Sequence, residues 1–256
     1  MVYFISDVHL GFGTHEESLR REQDLLAVLD RIKTECTTLY LVGDIFDYWF
    51  EYGTVLPRQF FRTLTKLDEL KRNGTGIEYL MGNHDFGHQD FFERDLLIPV
   101  HKGDVECTIS GKRFYLAHGD GKVYNDTGYL ILRSILRNRI CIKLYQWLHP
   151  DIGIRLASGT SHKSRAYTDT KEYGKPDGLA DFAEKKITHD MFDYVIMGHQ
   201  HKPTVREYGS GTHTGIYMNL GDWIQHRTFA RFDGTTLELL NVDEFLASNT
   251  YLTGCG

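Results

Sequence analysis

Val2-Tyr3-Phe4-Ile5-Ser6-Asp7-Val8-His9 is a short apolar run that ends, within four residues, in a carboxylate and an imidazole. The same construction recurs along the chain. Leu39 to Val42 leads into Gly43-Asp44, Ile77 to Leu80 into Gly82-Asn83-His84-Asp85, Phe114 to Ala117 into His118, and Tyr194 to Met197 into Gly198-His199-Gln200-His201. Each run has the length and the β-branched or aromatic content of a strand. Between the first three lie amphipathic stretches read as helices, Glu16 to Glu35 and Pro57 to Asn73, the second opening with Pro at its first helical position and closing on Asn73-Gly74. Strands interleaved with helices predict an α/β fold. Beyond residue 200 the pattern turns to strand-like runs at Thr204 to Tyr208, Ile216 to Asn219, Thr228 to Phe232 and Leu237 to Val242, the last two joined by the turn signal Asp233-Gly234. The chain is expected to end in β-structure.

A length of 256 residues allows one large domain or two small ones. No repeat or linker divides it, so residues 1–256 are read as a single domain. Hydrophobic residues at 41% and charged residues at 25% are globular values and exclude a disordered or fibrous chain. Cys36, Cys107, Cys141 and Cys255 form no Cys-x-x-Cys pair, which argues against a zinc knuckle or a dense disulfide framework and fits a reducing cytosol. The first residues lack the basic region of a secretory signal, and no apolar run approaches the ~20 residues that span a bilayer, so neither export nor membrane integration is expected. A net charge of -6 disfavours sequence-independent nucleic-acid binding. Residues 124–165 stand apart, with seven Lys/Arg against two Asp, a net +5 on an acidic chain.

In α/β sheets ligands bind at the carboxyl ends of the strands, so the polar groups after five strands can converge although nearly 200 residues separate them. Residues two apart on an extended chain share a side, which pairs Asp7 with His9 and His199 with His201. Glycines before Asp44, Asn83 and His199 allow sharp turns and close approach to an ion or phosphate. Two carboxylates, four imidazoles and one amide, with no thiolate, suit Mn, Fe or Zn. Seven ligands exceed the needs of one ion. A pair of divalent ions ~3.5–4 Å apart, sharing one carboxylate, accounts for the number.

Asp7-x-His9, Gly43-Asp44-x-x-Asp47, Gly82-Asn83-His84-Asp85, His118 and Gly198-His199-x-His201 resemble, in order, the five motifs of the calcineurin-like metallophosphoesterases. The resemblance implies a four-layer α/β/β/α sandwich, two facing sheets flanked by helices, with a helical insertion. It implies one metal held by Asp7, His9 and His201, a second by Asn83, His118 and His199, and Asp44 as the bridge, with Mn preferred over Fe or Zn. His84 and Asp85 resemble the family's His-Asp dyad, which contacts phosphate and protonates the leaving group. Asp47 is read as a turn residue or a carboxylate behind the ligands rather than a ligand.

The segment Tyr129 to Leu148, YLILRSILRNRICIKLYQWL, interleaves apolar residues with Arg133, Arg137, Arg139 and Lys143. It suits a core helix with a solvated basic face or an interfacial helix at a membrane surface. Residues 124–165 are also similar to the helical insertion of the UDP-2,3-diacylglucosamine pyrophosphatases of lipid A synthesis, as are Gly43-Asp44-Ile45-Phe46, His118-Gly119-Asp120, Asp126 and Leu220-Gly221-x-Trp223. Such enzymes cleave the pyrophosphate to UMP and a diacylated sugar phosphate. That similarity implies a lid over acyl chains, substrate contacts at Asp126, Ser161, Lys163, Arg133 and Arg137, a nucleotide-lipid substrate, and peripheral residence on the cytoplasmic face of the inner membrane. One departure is His84, where well-known members carry Arg. The alternatives are a metal-dependent phosphodiesterase or phosphatase for soluble esters, and a membrane-surface scaffold of the same fold. The sequence leaves the oligomeric state open.

Overall fold

The computed structural model describes residues 1–122, 134–135, 138–153 and 177–248. Its strands are β1 (Val2–Ile5), β2 (Thr38–Val42), β3 (Gly76–Leu80), β4 (Val100–His101), β5 (Val105–Ile109), β6 (Lys112–Ala117), β7 (Tyr194–Met197), β8 (Thr204–Ser210), β9 (His213–Asn219), β10 (Thr228–Phe232) and β11 (Leu237–Asn241). The helices are α1 (His15–Ile32), α2 (Phe61–Arg72), α3 (Phe91–Arg94), α4 (Arg139–Gln146), α5 (Gly178–Thr188) and α6 (Val242–Ala247).

Continuous apolar strands occur where both faces of a sheet are covered, and β1 shows why. Val2 and Phe4 pack between the sheets with Tyr40, Val42, Phe114, Leu116, Tyr194 and Ile196. Tyr3 and Ile5, on the opposite face, pack with Leu25, Val28, Leu29 and Ile32 of α1 and Leu64, Leu67 and Leu70 of α2. Two sheets result, ordered β11-β10-β1-β2-β3-β4 and β5-β6-β7-β9-β8. In the first, β1 to β4 run parallel; in the second, β6, β7 and β9 do. The outer face of the second sheet (Tyr115, Val195, Met197, Tyr217) is covered by Leu179, Ala183 and Ile187 of α5. The layers are therefore helix, sheet, sheet, helix, as the sequence resemblance implies.

The five runs ending in polar groups are all strands, but several boundaries differ from expectation. Pro57 does not open an α-helix; it precedes a 3-10 turn, Arg58–Phe60, that feeds α2. The described chain does not end in β-structure. Asn241 terminates β11 because its side chain accepts the backbone N–H groups of Asp243 and Glu244, capping α6 in place of a continued strand. α1 stops at Ile32, whose carbonyl takes the N–H groups of Glu35 and Cys36. No helix among the described residues is long and apolar enough to cross a membrane. The positions Asp126, Arg133, Arg137, Ser161 and Lys163 lie outside the described residues, as does most of the 124–165 insertion.

Phe114 is fully buried between the sheets, its ring centroid 4.6 Å from Tyr194, 5.1 Å from Phe232 and 5.9 Å from Phe4. Phe114→Ala should lower unfolding free energy by about 3–5 kcal/mol in denaturant titration. A loss under about 1 kcal/mol would show that the inter-sheet core tolerates a void there.

Candidate active site

The parallel strands β1, β2 and β3 of one sheet and β6 and β7 of the other deliver their carboxyl ends to one edge of the sandwich. Backbone pairing continues past the strand ends, with Asp7 N–H donating to the Gly43 carbonyl (3.1 Å), His9 N–H to Asp44 (3.0 Å) and Gly198 N–H to His118 (3.0 Å). The ligand pairs do not converge through extended-chain alternation. Asp7, His9, Asp44, His199 and His201 have φ of 52°, 50°, 54°, 71° and 56°, so each sits in the left-handed region and folds its side chain back toward the centre. Five of the nine non-glycine residues in that region among the described residues lie in this one site, and each costs on the order of 1–3 kcal/mol. Strain concentrated where polar groups meet marks a functional centre.

Two glycines make room for the carboxylates. A Cβ on Gly82 would stand 2.0 Å from Asp44 Oδ1, and one on Gly198 would stand 2.2 Å from Asp7 Oδ2. Both positions exclude any side chain.

Two groups of donor atoms result. Asp7 Oδ1, His9 Nε2 and His201 Nε2 are 3.2 to 3.6 Å apart. In the second group Asn83 Oδ1 is 2.9 Å from both His118 Nε2 and His199 Nδ1. Asp44 Oδ2 reaches both groups, 3.3 Å from His118 Nε2 and 3.8 Å from His9 Nε2. Ligands ~2.1 Å from a shared ion stand ~3 Å from one another at right angles, so these spacings fit metal coordination. Asp7, His9, Asp44 and His118 are buried.

The electrostatics fit a cation as well. Burial by itself raises the Asp7 and Asp44 carboxyls, but hydrogen bonds from His201 and His9 to Asp7, and the His118 and His84 charges beside Asp44, hold both well below the usual range. Burial likewise lowers His118, yet the Asp44 and Asp7 carboxylates hold it well above an ordinary imidazole. The two carboxylates thus retain positive charge in the protein interior. His118 Nδ1 lies 3.0 Å from the Val42 carbonyl, which can only accept, so Nδ1 carries a proton and Nε2 faces the centre. There the charged ring's Nε2–H meets Asn83 Oδ1, an acceptor, and a cation taking the place of that proton would use both atoms as donors. His199 is pushed down to about 4 by burial and the His118 charge, which leaves its ring neutral for ligation.

Further groups hold the donors in place. Asp47 Oδ1 stands 3.6 Å from His9 Nδ1 and 3.9 Å from His84 Nδ1, so Asp47, His9 and His84 form a further group whose donor atoms lie close enough to hold a cation. Asp222 Oδ2 is 3.8 Å from His201 Nδ1, while its Oδ1 accepts the Gln225 and His226 N–H groups. Arg21, buried, donates to the carbonyls of His9 and Phe12. Sequence reasoning missed Asp222 and Arg21; the position of Asp222 just beyond β9 was the available signal for the first, and nothing local marks the second.

His84 opens toward the centre, its ring 5.2 Å from that of His9, with Nδ1 3.2 Å from the Asp47 carbonyl. The expected pairing with Asp85 is not formed by side-chain contact. Asp85 is fully buried, and its oxygens accept the Gly82 N–H (2.7 Å), the Ile45 N–H (2.9 Å) and the Tyr79 hydroxyl (2.5 Å). Burial and the Asp44 charge raise it to about 6. Asp85 therefore braces the loops that carry Asp44 and His84. A polar cleft opens beside His118, between Lys102, Asp104, Asp120 and Lys122.

Known proteins with similar sequences carry this geometry into a family. A model of the calcineurin-like phosphoesterases matches residues 1–203. A UDP-2,3-diacylglucosamine hydrolase of Porphyromonas gingivalis is 36% identical over 259 residues, covering 95% of this chain and 98% of that protein. One of the same name from Pseudomonas fluorescens is 28% identical over 228 residues, covering 87% and 88%. A site built from seven metal-type donors at five strand ends, matched over most of its length by that model, belongs to a metal-dependent phosphoester hydrolase, and the chain is a member of the calcineurin-like phosphoesterase family.

Proposed function

We propose that the protein hydrolyses the pyrophosphate bond of UDP-2,3-diacylglucosamine, giving UMP and 2,3-diacylglucosamine 1-phosphate. The observation that carries the chemistry is Asp44, one buried carboxylate within reach of two separate donor groups. The near full-length match to relatives named for that substrate supports the substrate. Asp7, His9 and His201 would hold one divalent cation, Asn83, His118 and His199 a second, and Asp44 would serve both, with Mn preferred over Fe or Zn. When bound, two such ions supply the Lewis acidity that makes water nucleophilic near neutral pH and offsets charge on phosphate oxygens.

The chain's own groups do the rest. His84 has Nδ1 fixed to the Asp47 carbonyl, so Nε2 carries the mobile proton and delivers it to the departing oxygen. Asp85 acts through the loops it braces. Residues 124–165 form a lid that shelters the acyl chains, with Asp126, Arg133, Arg137, Ser161 and Lys163 contacting substrate.

Peripheral membrane residence is supported by α4 and its sequel, where Trp147 is 84% exposed, Ile140 68%, Ile152 58% and Leu144 57%. Large apolar groups rarely stand open together on a protein that meets only water.

Hydrolysis of UDP-2,3-diacylglucosamine with Mn in ¹⁸O-water should place the label in UMP, because attack on the uridine-side phosphorus makes the sugar 1-phosphate the leaving group. Label in the lipid product would reverse the orientation. Failure on any UDP-lipid, alongside rapid hydrolysis of simple phosphodiesters, would favour the soluble-ester enzyme.

Asp44→Ala should deplete both ions by elemental analysis, whereas His84→Ala should retain both and lower kcat on the order of 10²–10⁴-fold. Unchanged kcat would remove His84 as the acid, and loss of only one ion would remove Asp44 as the bridge.

Trp147→Ser combined with Ile140→Ser should lower the fraction that sediments with anionic lipid vesicles severalfold while leaving hydrolysis of a small phosphodiester intact. Equal sedimentation would refute this membrane face.

A further inference from the structure

Two loops must keep a fixed relation for the proposed centre to exist. The first follows β2 and carries Asp44 and Asp47; the second follows β3 and carries Asn83 and His84. At their strand-proximal end the second loop grips the first, through Asp85 and the Ile45 N–H. At the distal end the direction reverses. Glu51, on the first loop and only 3% exposed, turns its Oε2 into the second loop and accepts three successive backbone N–H groups, those of Gln89 (2.9 Å), Asp90 (2.9 Å) and Phe91 (3.1 Å). Its Oε1 accepts the Trp49 indole N–H at 3.0 Å.

The main chain repeats the connection. Phe50 and Gly87 form a parallel bridge, Glu51 N–H donates to the Gly87 carbonyl (3.2 Å) and Gly87 N–H to the Trp49 carbonyl (3.1 Å). The backbones approach so closely that a Cβ on Gly87 would stand 2.2 Å from the Trp49 carbonyl oxygen. Among the described residues' ion pairs the Glu51 carboxylate meets only His88, 3.8 Å away, a ring enclosed by Trp49, Tyr79 and Phe92 and pushed down to about 3 by burial, while the exposed Arg94 acts on it from farther off. A buried carboxylate satisfied by four N–H donors fixes the loops that supply those donors. The same residue's carbonyl accepts the Gln146 side-chain amide at 3.1 Å, and the Phe50 ring lies 4.6 Å from Tyr145, so α4 is moored at this joint as well.

We propose that Glu51 is a positioning residue, the distal half of a reciprocal clamp with Asp85 that sets the separation of Asp44 from Asn83 and His84. The inference rests on the two-metal reading above. It is tested by Glu51→Gln, which gives up one acceptor oxygen for an amide, and independently by Gly87→Ala, which wedges the loops apart and leaves Glu51 in place. Metal-free protein is titrated with Mn²⁺ by calorimetry, folding is followed by circular dichroism, and turnover is measured on bis(p-nitrophenyl) phosphate at saturating Mn²⁺. Both variants should melt cooperatively, bind the weaker Mn²⁺ equivalent at least 10-fold less tightly, and lose about 10-fold in kcat with KM changed less than twofold. Native affinity for both ions and kcat within twofold in either folded variant would overturn the proposal, as would loss of folding in both, which would make the joint structural only. If the unsubstituted protein binds a single ion, the two-metal reading fails; the clamp then stands or falls on the same loss of affinity for that ion.

Discussion

The buried Asp44 carboxylate is the interaction on which the rest depends. A carboxylate held in the interior without positive charge beside it is expensive, and the usual outcome is protonation. Here His118, His84 and His9 surround it, the Gly82 Cα leaves it room, and its other oxygen accepts the His84 N–H at 2.9 Å. Every element that meets at this carboxylate comes from a different strand end. The two sheets therefore have to face each other in one register, because β1, β2 and β3 bring the first sheet's donors and β6 and β7 the second's.

That requirement explains where the protein stores its strain. Left-handed backbone at Asp7, His9, Asp44, His199 and His201 is unfavourable locally, and it persists because the strands on either side are over-determined by packing. Phe4, Phe114, Tyr194 and Phe232 lock the space between the sheets, and α1 and α2 close the far face of the first. A looser core would let these turns relax to ordinary φ and scatter the donors. Core packing and metal-site geometry are consequently one problem in this fold, and the metal-type residues contribute little to stability until a cation joins them.

The centre was legible in the sequence because each donor lies next to the strand that carries it. Five short apolar runs, each followed by Asp, Asn or His, needed only the rule that α/β ligands gather at carboxyl strand ends. What was not legible depended on residues distant in sequence or on backbone conformation. Periodicity cannot announce a left-handed Asp7, so the pairing with His9 reads in the sequence as that of an extended chain. Asp85, adjacent to His84, invited a dyad, yet its burial beneath Ile45 and Tyr79 is a tertiary fact. The capping of α6 by Asn241 hid within a run that otherwise reads as strand, and β4 is only two residues long. Asp222 reaches His201 across more than twenty residues, with no spacing rule to link them.

The supporting groups divide the labour by chemistry. Around the first donor set they are carboxylates: Asp47 behind His9 and Asp222 behind His201 each face an Nδ1 and leave Nε2 for the centre. Around the second, His118 Nδ1 leans on the Val42 carbonyl, and the Asp120 carboxylate acts at longer range on both His118 and His199. Carboxylate or carbonyl alike, a partner at one ring nitrogen fixes the tautomer and strengthens the other nitrogen as a donor. His84 stands beside the first set, its ring 5.2 Å from that of His9. The group proposed to protonate the leaving oxygen therefore lies to one side of the centre, and that asymmetry would give a phosphoryl group lying across both halves a direction for bond cleavage.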